Sequence, residues 1–158
     1  MSTAEDLNIV KMVGITKRYP GIVANQSVNF NLKKGEIHAI VGENGAGKTT
    51  LMHILSGISH SDEGKIYIDG KSVKIQSPKD AINRGIGMVH QRPLLINRLS
   101  ITENILLGYS RQKGIFANRK TDHDKIREFA VKFGFRISPE KEVWQLSVGE
   151  LQRVEILK

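Results

Sequence analysis

Apolar and polar residues alternate over much of the first ninety residues in a way that predicts β-strands. Five segments have a strand pattern: 9–13, 23–32, 36–41, 64–70 and 85–89. The run at 36–41 is the most compact, and Gly42 ends it, which is typical of a buried strand that leads into a turn. The segment 64–70 carries Ile66-Tyr67-Ile68 and closes into a turn at Gly70.

Helical spacing of apolar residues follows these strands and predicts helices over 48–56, after Ser77, after Ser100, over 121–133 and from Ser147. Three serines are suited to cap a helix amino terminus, and two of them have a glutamate three residues later, the capping-box spacing. The segment 121–133 carries one apolar stripe. Its members are Ile126, Phe129, Ala130 and Phe133. Strands that alternate with helices predict an α/β protein.

Composition narrows the possible functions only a little. The chain has 158 residues, a size typical of one domain. It has no cysteine, which excludes disulfides, thiolate metal sites and a cysteine nucleophile. No stretch reaches the roughly 18 apolar residues of a membrane-spanning helix. The net charge of +8 is compatible with nucleic-acid binding, but the basic residues are scattered, which favours an ordinary solvated surface.

A glycine-rich loop carries the strongest chemical signal. Residues 42–49 match the pattern G-x-x-x-x-G-K-[ST] in full, between a predicted strand and a predicted helix. Successive N–H groups of such a loop curl around a phosphate, and the positive end of the following helix faces the same anion. Lys48 reaches the outer phosphates and the Thr49 hydroxyl can ligate Mg²⁺. The predicted nucleotide-binding residues here are Gly42, Glu43, Asn44, Gly45, Ala46, Gly47, Lys48, Thr49 and Thr50.

Kinases, GTPases and motor ATPases share such a loop, and two further segments narrow the family. They are Gly87-Met88-Val89-His90-Gln91 and Leu146-Ser147-Val148-Gly149-Glu150-Leu151-Gln152-Arg153. Together with Lys34-Gly35-Glu36, they resemble the ATP-binding cassette proteins over nearly the whole chain, and the second segment resembles their signature motif. The amino-acid sequences of these motifs are most similar to those of the importer ATPases for sugars and nucleosides. The resemblance implies a phosphate-loop core with an antiparallel β layer and a helical subdomain, incomplete at the carboxyl end.

The resemblance also implies roles for residues outside the loop. Tyr19 corresponds to the aromatic residue that stacks on adenine, although a packing role at the end of a strand is the alternative. Gln91 resembles the glutamine that contacts Mg²⁺ and senses the membrane partner. The catalytic candidates are therefore Lys48 and Gln91, and the candidate ligands of Mg²⁺ are Thr49 and Gln91. Ser147 and Gly149 resemble the signature residues that face the γ-phosphate held by the opposite cassette. Leu151 departs from the glutamine usual in the family.

The implied domain organisation has three parts: a β layer and phosphate-loop core at 1–99, a helical subdomain at 100–146, and a signature helix at 147–158. The implied function is hydrolysis of ATP with Mg²⁺, coupled to uptake of a sugar or nucleoside, at the cytoplasmic face of the membrane. The implied partners are membrane permease subunits, a second cassette and, indirectly, a solute-binding protein, with no nucleic acid.

Two other functions stay open at this point. One is an ABC ATPase that acts on nucleic acid, and the other is a phosphate-loop kinase. The acidic strand and the histidine that hydrolysis requires in the family follow the signature, and Lys158 ends the sequence before them. The expectation is that the 158-residue chain by itself binds nucleotide poorly and does not turn over ATP.

Overall fold

The structure, a computed structural model, describes residues 8–107 and 119–158. The chain forms two compact units, residues 1–88 and residues 89–158, and each is presented by itself. No helix in the described ranges is both long enough and apolar enough to cross a lipid bilayer.

The first unit is built on a four-stranded antiparallel sheet. Its strands are β1 (Asn8–Tyr19), β2 (Ile22–Lys33), β3 (Glu63–Ile68) and β4 (Lys71–Val73). Their order is β2-β1-β3-β4, and all neighbouring pairs are antiparallel. The strands expected at 9–13, 23–32 and 64–70 are therefore confirmed, as is the antiparallel layer.

Two helices belong to this unit, α1 (Lys48–Leu55) and α2 (Pro78–Asn83). Leu51 and Ile54 of α1 pack against the sheet residues Met12 and Ile15 in the core of the unit. The Ser77 hydroxyl accepts a hydrogen bond from the Asp80 N–H at 3.2 Å, which confirms the expected cap of α2. The core thus anchors α1, and with it the loop that precedes the helix.

The strands expected at 36–41 and 85–89 are wrong. Both segments lie outside regular structure, with Ile37 fully exposed and Val41 91% exposed. A strand needs a neighbour for its backbone hydrogen bonds, and the described sheet takes up neither segment. The apolar pattern indicates side chains that suit burial, but it does not show which strand would pair with the segment.

The second unit is helical. It contains α3 (Ile101–Leu106), α4 (Arg119–Lys132), a short 3₁₀ turn (Val143–Gln145) and α5 (Val148–Leu157). Both expected capping boxes are present, at Ser100 with Glu103 and at Ser147 with Glu150. The core residues are Ile101, Ile105, Ile126, Ala130, Val154 and Leu157. Residues 108–118, within the expected helical subdomain, lie outside the described ranges.

The predicted apolar stripe of α4 is correct for two of its four residues and wrong for the other two. Ile126 and Ala130 are buried, but Phe129 and Phe133 are exposed and pack edge to face with ring centroids 5.0 Å apart. Residues four apart share one line along a helix, whereas the phenylalanines lie on a neighbouring line. The small core of this unit covers only the line that carries Ile126 and Ala130.

Candidate functional site

The glycine-rich loop folds back on itself at the amino end of α1. The Ala46 N–H donates to the Glu43 carbonyl at 3.2 Å. Gly45 and Gly47 both have positive φ angles, +84° and +83°, a region that side-chain-bearing residues rarely adopt. Gly47 is also the residue that caps α1, so the last turn of the loop leads directly into the helix.

Lys48 is held over this loop. Its ammonium group donates to the Gly42 carbonyl at 2.8 Å and to the Glu43 carbonyl at 2.7 Å. The side chain therefore doubles back from the first turn of α1 to the first residues of the loop. A positive charge lies within the curve of the backbone, where it can meet the outer phosphates of a nucleotide.

The amino terminus of α1 supplies further donors. The first intrahelical bond runs from the Leu51 N–H to the Gly47 carbonyl at 2.9 Å, so the N–H groups of residues 48–50 precede the helical ladder. These groups and the positive end of the helix favour an anion. Thr49 is exposed, and its hydroxyl sits at the same helix end. The structure thus brings the predicted residues 42–50 together in one loop and one helical turn.

Strand β2 packs directly against the end of the loop. A Cβ atom added to Gly47 would lie 2.1 Å from the Ala24 carbonyl oxygen and 2.7 Å from the Asn25 side-chain nitrogen. Asn25 is 5% exposed, and its Nδ2 donates to the Gly47 carbonyl at 3.3 Å. Sequence reasoning missed this contact, because 22 residues separate the partners and no spacing pattern connects them.

Tyr19 ends strand β1 and is 45% exposed, as an aromatic residue that stacks on a base must be. The Lys17 ammonium lies 5.4 Å from the centre of its ring, which is within cation–π distance. Asp62 binds this end of β1 through contacts that the sequence did not predict. Its carboxylate accepts from the Arg18 N–H at 2.6 Å and from Lys17 Nζ at 3.0 Å. The Arg18 bond, and then the Lys17 bond, lower the pKa of Asp62 below its usual range.

The remaining predicted residues belong to the second unit. Gln91 is exposed and lies in a bend, so the expectation that it ends a strand is wrong. Ser147 caps α5: its hydroxyl donates to the Glu150 carboxylate at 2.7 Å and accepts from the Glu150 N–H at 3.4 Å. The Ser147 N–H also donates to this carboxylate at 2.8 Å, and these bonds lower the pKa of Glu150. Gly149 is exposed in the first turn of α5.

Among the described residues, no three or more histidine or acidic side chains are grouped so that they could hold a metal ion. A divalent cation therefore has no ready-made protein cage in those ranges. A cation that arrives with a nucleotide needs fewer protein ligands, because the phosphate oxygens supply the others. The Thr49 hydroxyl lies at the same end of α1 as the N–H groups of residues 48–50.

The fold and the glycine-rich loop together define the general class of protein. A G-x-x-x-x-G-K-T loop at the head of a packed helix, beside an antiparallel sheet, is the phosphate-binding device of a phosphate-loop nucleotide-binding protein. Residues 25–158 match the family described as ABC transporter, which is more than half of the chain. The chain therefore belongs to the ABC transporter family.

Curated relatives are similar over almost the whole chain. The nucleoside import ATP-binding protein NupA of Lactococcus lactis is 49% identical over 150 residues, which are 95% of this chain and 30% of the relative. The guanosine import protein NupO of Bacillus subtilis is 44% identical, over 95% of this chain and 29% of the relative. The xylose import protein XylG of Geobacillus kaustophilus is 40% identical, over 95% and 30%. The chain spans about a third of the length of these relatives.

Solved cassettes share the fold. A nucleotide-free ATP-binding cassette of an ABC transporter superposes with a TM-score of 0.78 at 26% identity, over 96% of this chain and 64% of the cassette. A dimeric cassette with ADP and phosphate bound superposes with a TM-score of 0.75 at 29% identity, over 94% and 67%. These structures confirm the expected cassette fold.

Proposed function

We propose that this chain is the nucleotide-binding part of an ABC importer ATPase that couples binding and hydrolysis of ATP to solute uptake. The observation that carries the proposal is the phosphate loop. The Lys48 ammonium donates to two loop carbonyls, and next to it the N–H groups of residues 48–50 precede the helical hydrogen bonds of α1. This geometry occurs in a chain that is 49% identical to a nucleoside import ATP-binding protein.

The residues of the first unit fit a nucleoside triphosphate. The N–H groups of residues 48–50 and those of the loop other than Ala46 bind the phosphates, and Lys48 exchanges its two loop carbonyls for phosphate oxygens, which are stronger acceptors. The exposed ring of Tyr19 stacks on the base. The Thr49 hydroxyl is the proposed ligand of Mg²⁺ in this unit, and the ion would supply charge neutralisation.

The solute class is a nucleoside or a sugar. Relatives named for nucleoside import reach 49% and 44% identity, and the xylose relative reaches 40%. The proposed partners are membrane permease subunits, a solute-binding protein that acts through them, and a second cassette, in keeping with the dimeric solved cassette. A nucleotide held by that second cassette would face Ser147 and Gly149 of this chain. The proposed place of work is the cytoplasmic face of the membrane, as a peripheral protein.

The test is a binding titration of ATP and AMP against wild-type protein and Lys48→Ala. Charge-assisted bonds to the outer phosphates contribute ~1.5–3 kcal/mol, so Lys48→Ala should weaken ATP binding roughly 10- to 150-fold. AMP lacks those phosphates and should bind the variant and the wild type alike. Cells that carry the variant should also lose uptake of labelled nucleoside or sugar.

Lys65→Ala is the matched control, because it removes the same charge from an exposed position on β3. It should leave the affinity for ATP unchanged. Equal losses of ATP and AMP affinity in Lys48→Ala would show that the lysine does not contact the outer phosphates. Unchanged uptake would refute the importer function.

A further inference from the structure

The Gly47 carbonyl accepts two hydrogen bonds from different parts of the fold. One comes from the Leu51 N–H, at 2.9 Å, within α1. The other comes from Asn25 Nδ2 on β2, at 3.3 Å. A carbonyl oxygen has two lone pairs, and both are engaged here. The final peptide of the phosphate loop is therefore fixed by its own helix and also by the sheet.

This carbonyl determines where the first phosphate-binding N–H points. The peptide bond is planar, so the Gly47 C=O and the Lys48 N–H belong to one rigid unit and point in opposite directions. A donor that holds the carbonyl oxygen on the β2 side consequently aims the Lys48 N–H away from β2. Asn25 thus acts on the donor end of α1 without lying at the binding surface.

The other end of the Asn25 amide has no comparable role. Its Oδ1 is buried and has no hydrogen-bond partner in the described part of the chain. A buried unpartnered oxygen destabilises the folded state, and one bond of 3.3 Å offsets only part of that cost. An apolar side chain of similar shape would serve the stability of the sheet at least as well.

We propose that Asn25 is a positioning residue of the phosphate loop, whose amide N–H holds the Gly47 carbonyl and so orients the N–H groups that receive the phosphates. The proposal rests on the nucleotide-binding function proposed above. The chain thus places a buried polar residue on β2, an edge strand of the described sheet, for the geometry of the site.

The test compares Asn25→Leu with the wild type in urea unfolding and in titrations with ATP and AMP. Leucine keeps the shape, removes the donor and also removes the unpartnered oxygen. We expect an unchanged or higher urea midpoint together with a roughly 3- to 10-fold loss of ATP affinity, the range for one neutral hydrogen bond. AMP, which has a single phosphate, should lose less affinity than ATP.

The ratio of the ATP and AMP affinities decides the outcome even if a variant is partly unfolded, because unfolding lowers both affinities by the same factor. Asn29→Leu is the matched control: it makes the same change on the same strand, where Asn29 Oδ1 accepts from the Gly14 N–H at 2.8 Å. The control should leave the ratio at the wild-type value.

An Asn25→Leu variant with the wild-type ratio would overturn the proposal, whether its stability rises or falls. A wild-type chain that binds ATP no better than AMP would overturn the proposed function, and this inference with it. Loss of ATP affinity in Lys48→Ala alongside an unchanged ratio in Asn25→Leu would refute only the role of Asn25.

Discussion

Gly45 and Gly47 offer a comparison between two residues of the same type, in the same loop and with nearly the same φ angle. Their φ angles are +84° and +83°, but a Cβ on Gly45 would meet no atom within 4 Å. A Cβ on Gly47 would lie 2.1 Å from the Ala24 carbonyl oxygen. Alanine at each position therefore separates the cost of the conformation from the cost of the close approach to β2.

The expected magnitudes follow from these distances. The left-handed conformation costs an alanine about 1–2 kcal/mol, and Gly45→Ala should lose no more stability than this. The 2.1 Å approach at Gly47 is far inside the ~3.5 Å at which heavy atoms attract each other, so the backbone of α1 or β2 must move. Such overpacking adds about 1–3 kcal/mol, and Gly47→Ala should lose about 2–5 kcal/mol in total.

Urea unfolding of both variants, followed by far-ultraviolet circular dichroism, measures the difference. The midpoint of Gly47→Ala should lie clearly below that of Gly45→Ala, with similar slopes. Hydrogen exchange at the Leu51 amide, which donates to the Gly47 carbonyl, should accelerate more in Gly47→Ala. Equal midpoints for the two variants would refute the close packing of the loop against β2.

Two further predictions concern the strand end that carries Tyr19. Tyr19→Ala should weaken the binding of ATP and GTP alike, by ~0.5–1.5 kcal/mol in a titration, while Tyr19→Phe is tolerated; a loss for phenylalanine as large as for alanine would point to the hydroxyl instead. The lowered pKa of Asp62 means that its ionised form stabilises the fold above the ordinary carboxyl pKa, and that this contribution is lost as the pH falls through the lowered value. Asp62→Asn should therefore flatten the acid side of a stability–pH curve, and a curve with the same acid limb as the wild type would contradict the contact.

Much of this protein is determined by residues close together in the sequence. A capping box needs only a serine and a glutamate three residues apart, so Ser100 and Ser147 predicted their helix starts correctly. The phosphate loop is equally local, because eight consecutive residues set its turns and its lysine. The hairpin β1–β2 also follows locally, since its strands are joined by the short turn at Pro20–Gly21.

The tertiary structure decided the contacts that depend on the path of the chain. The apolar run at 36–41 has a strand pattern, yet it forms no strand in the described fold, because hydrogen bonding needs a neighbour that composition cannot supply. Asp62 reaches the strand end of Tyr19 across more than 40 residues, and Asn25 reaches Gly47 across 22. Such pairs meet only after the sheet and α1 have packed, so no local spacing could have indicated either of them.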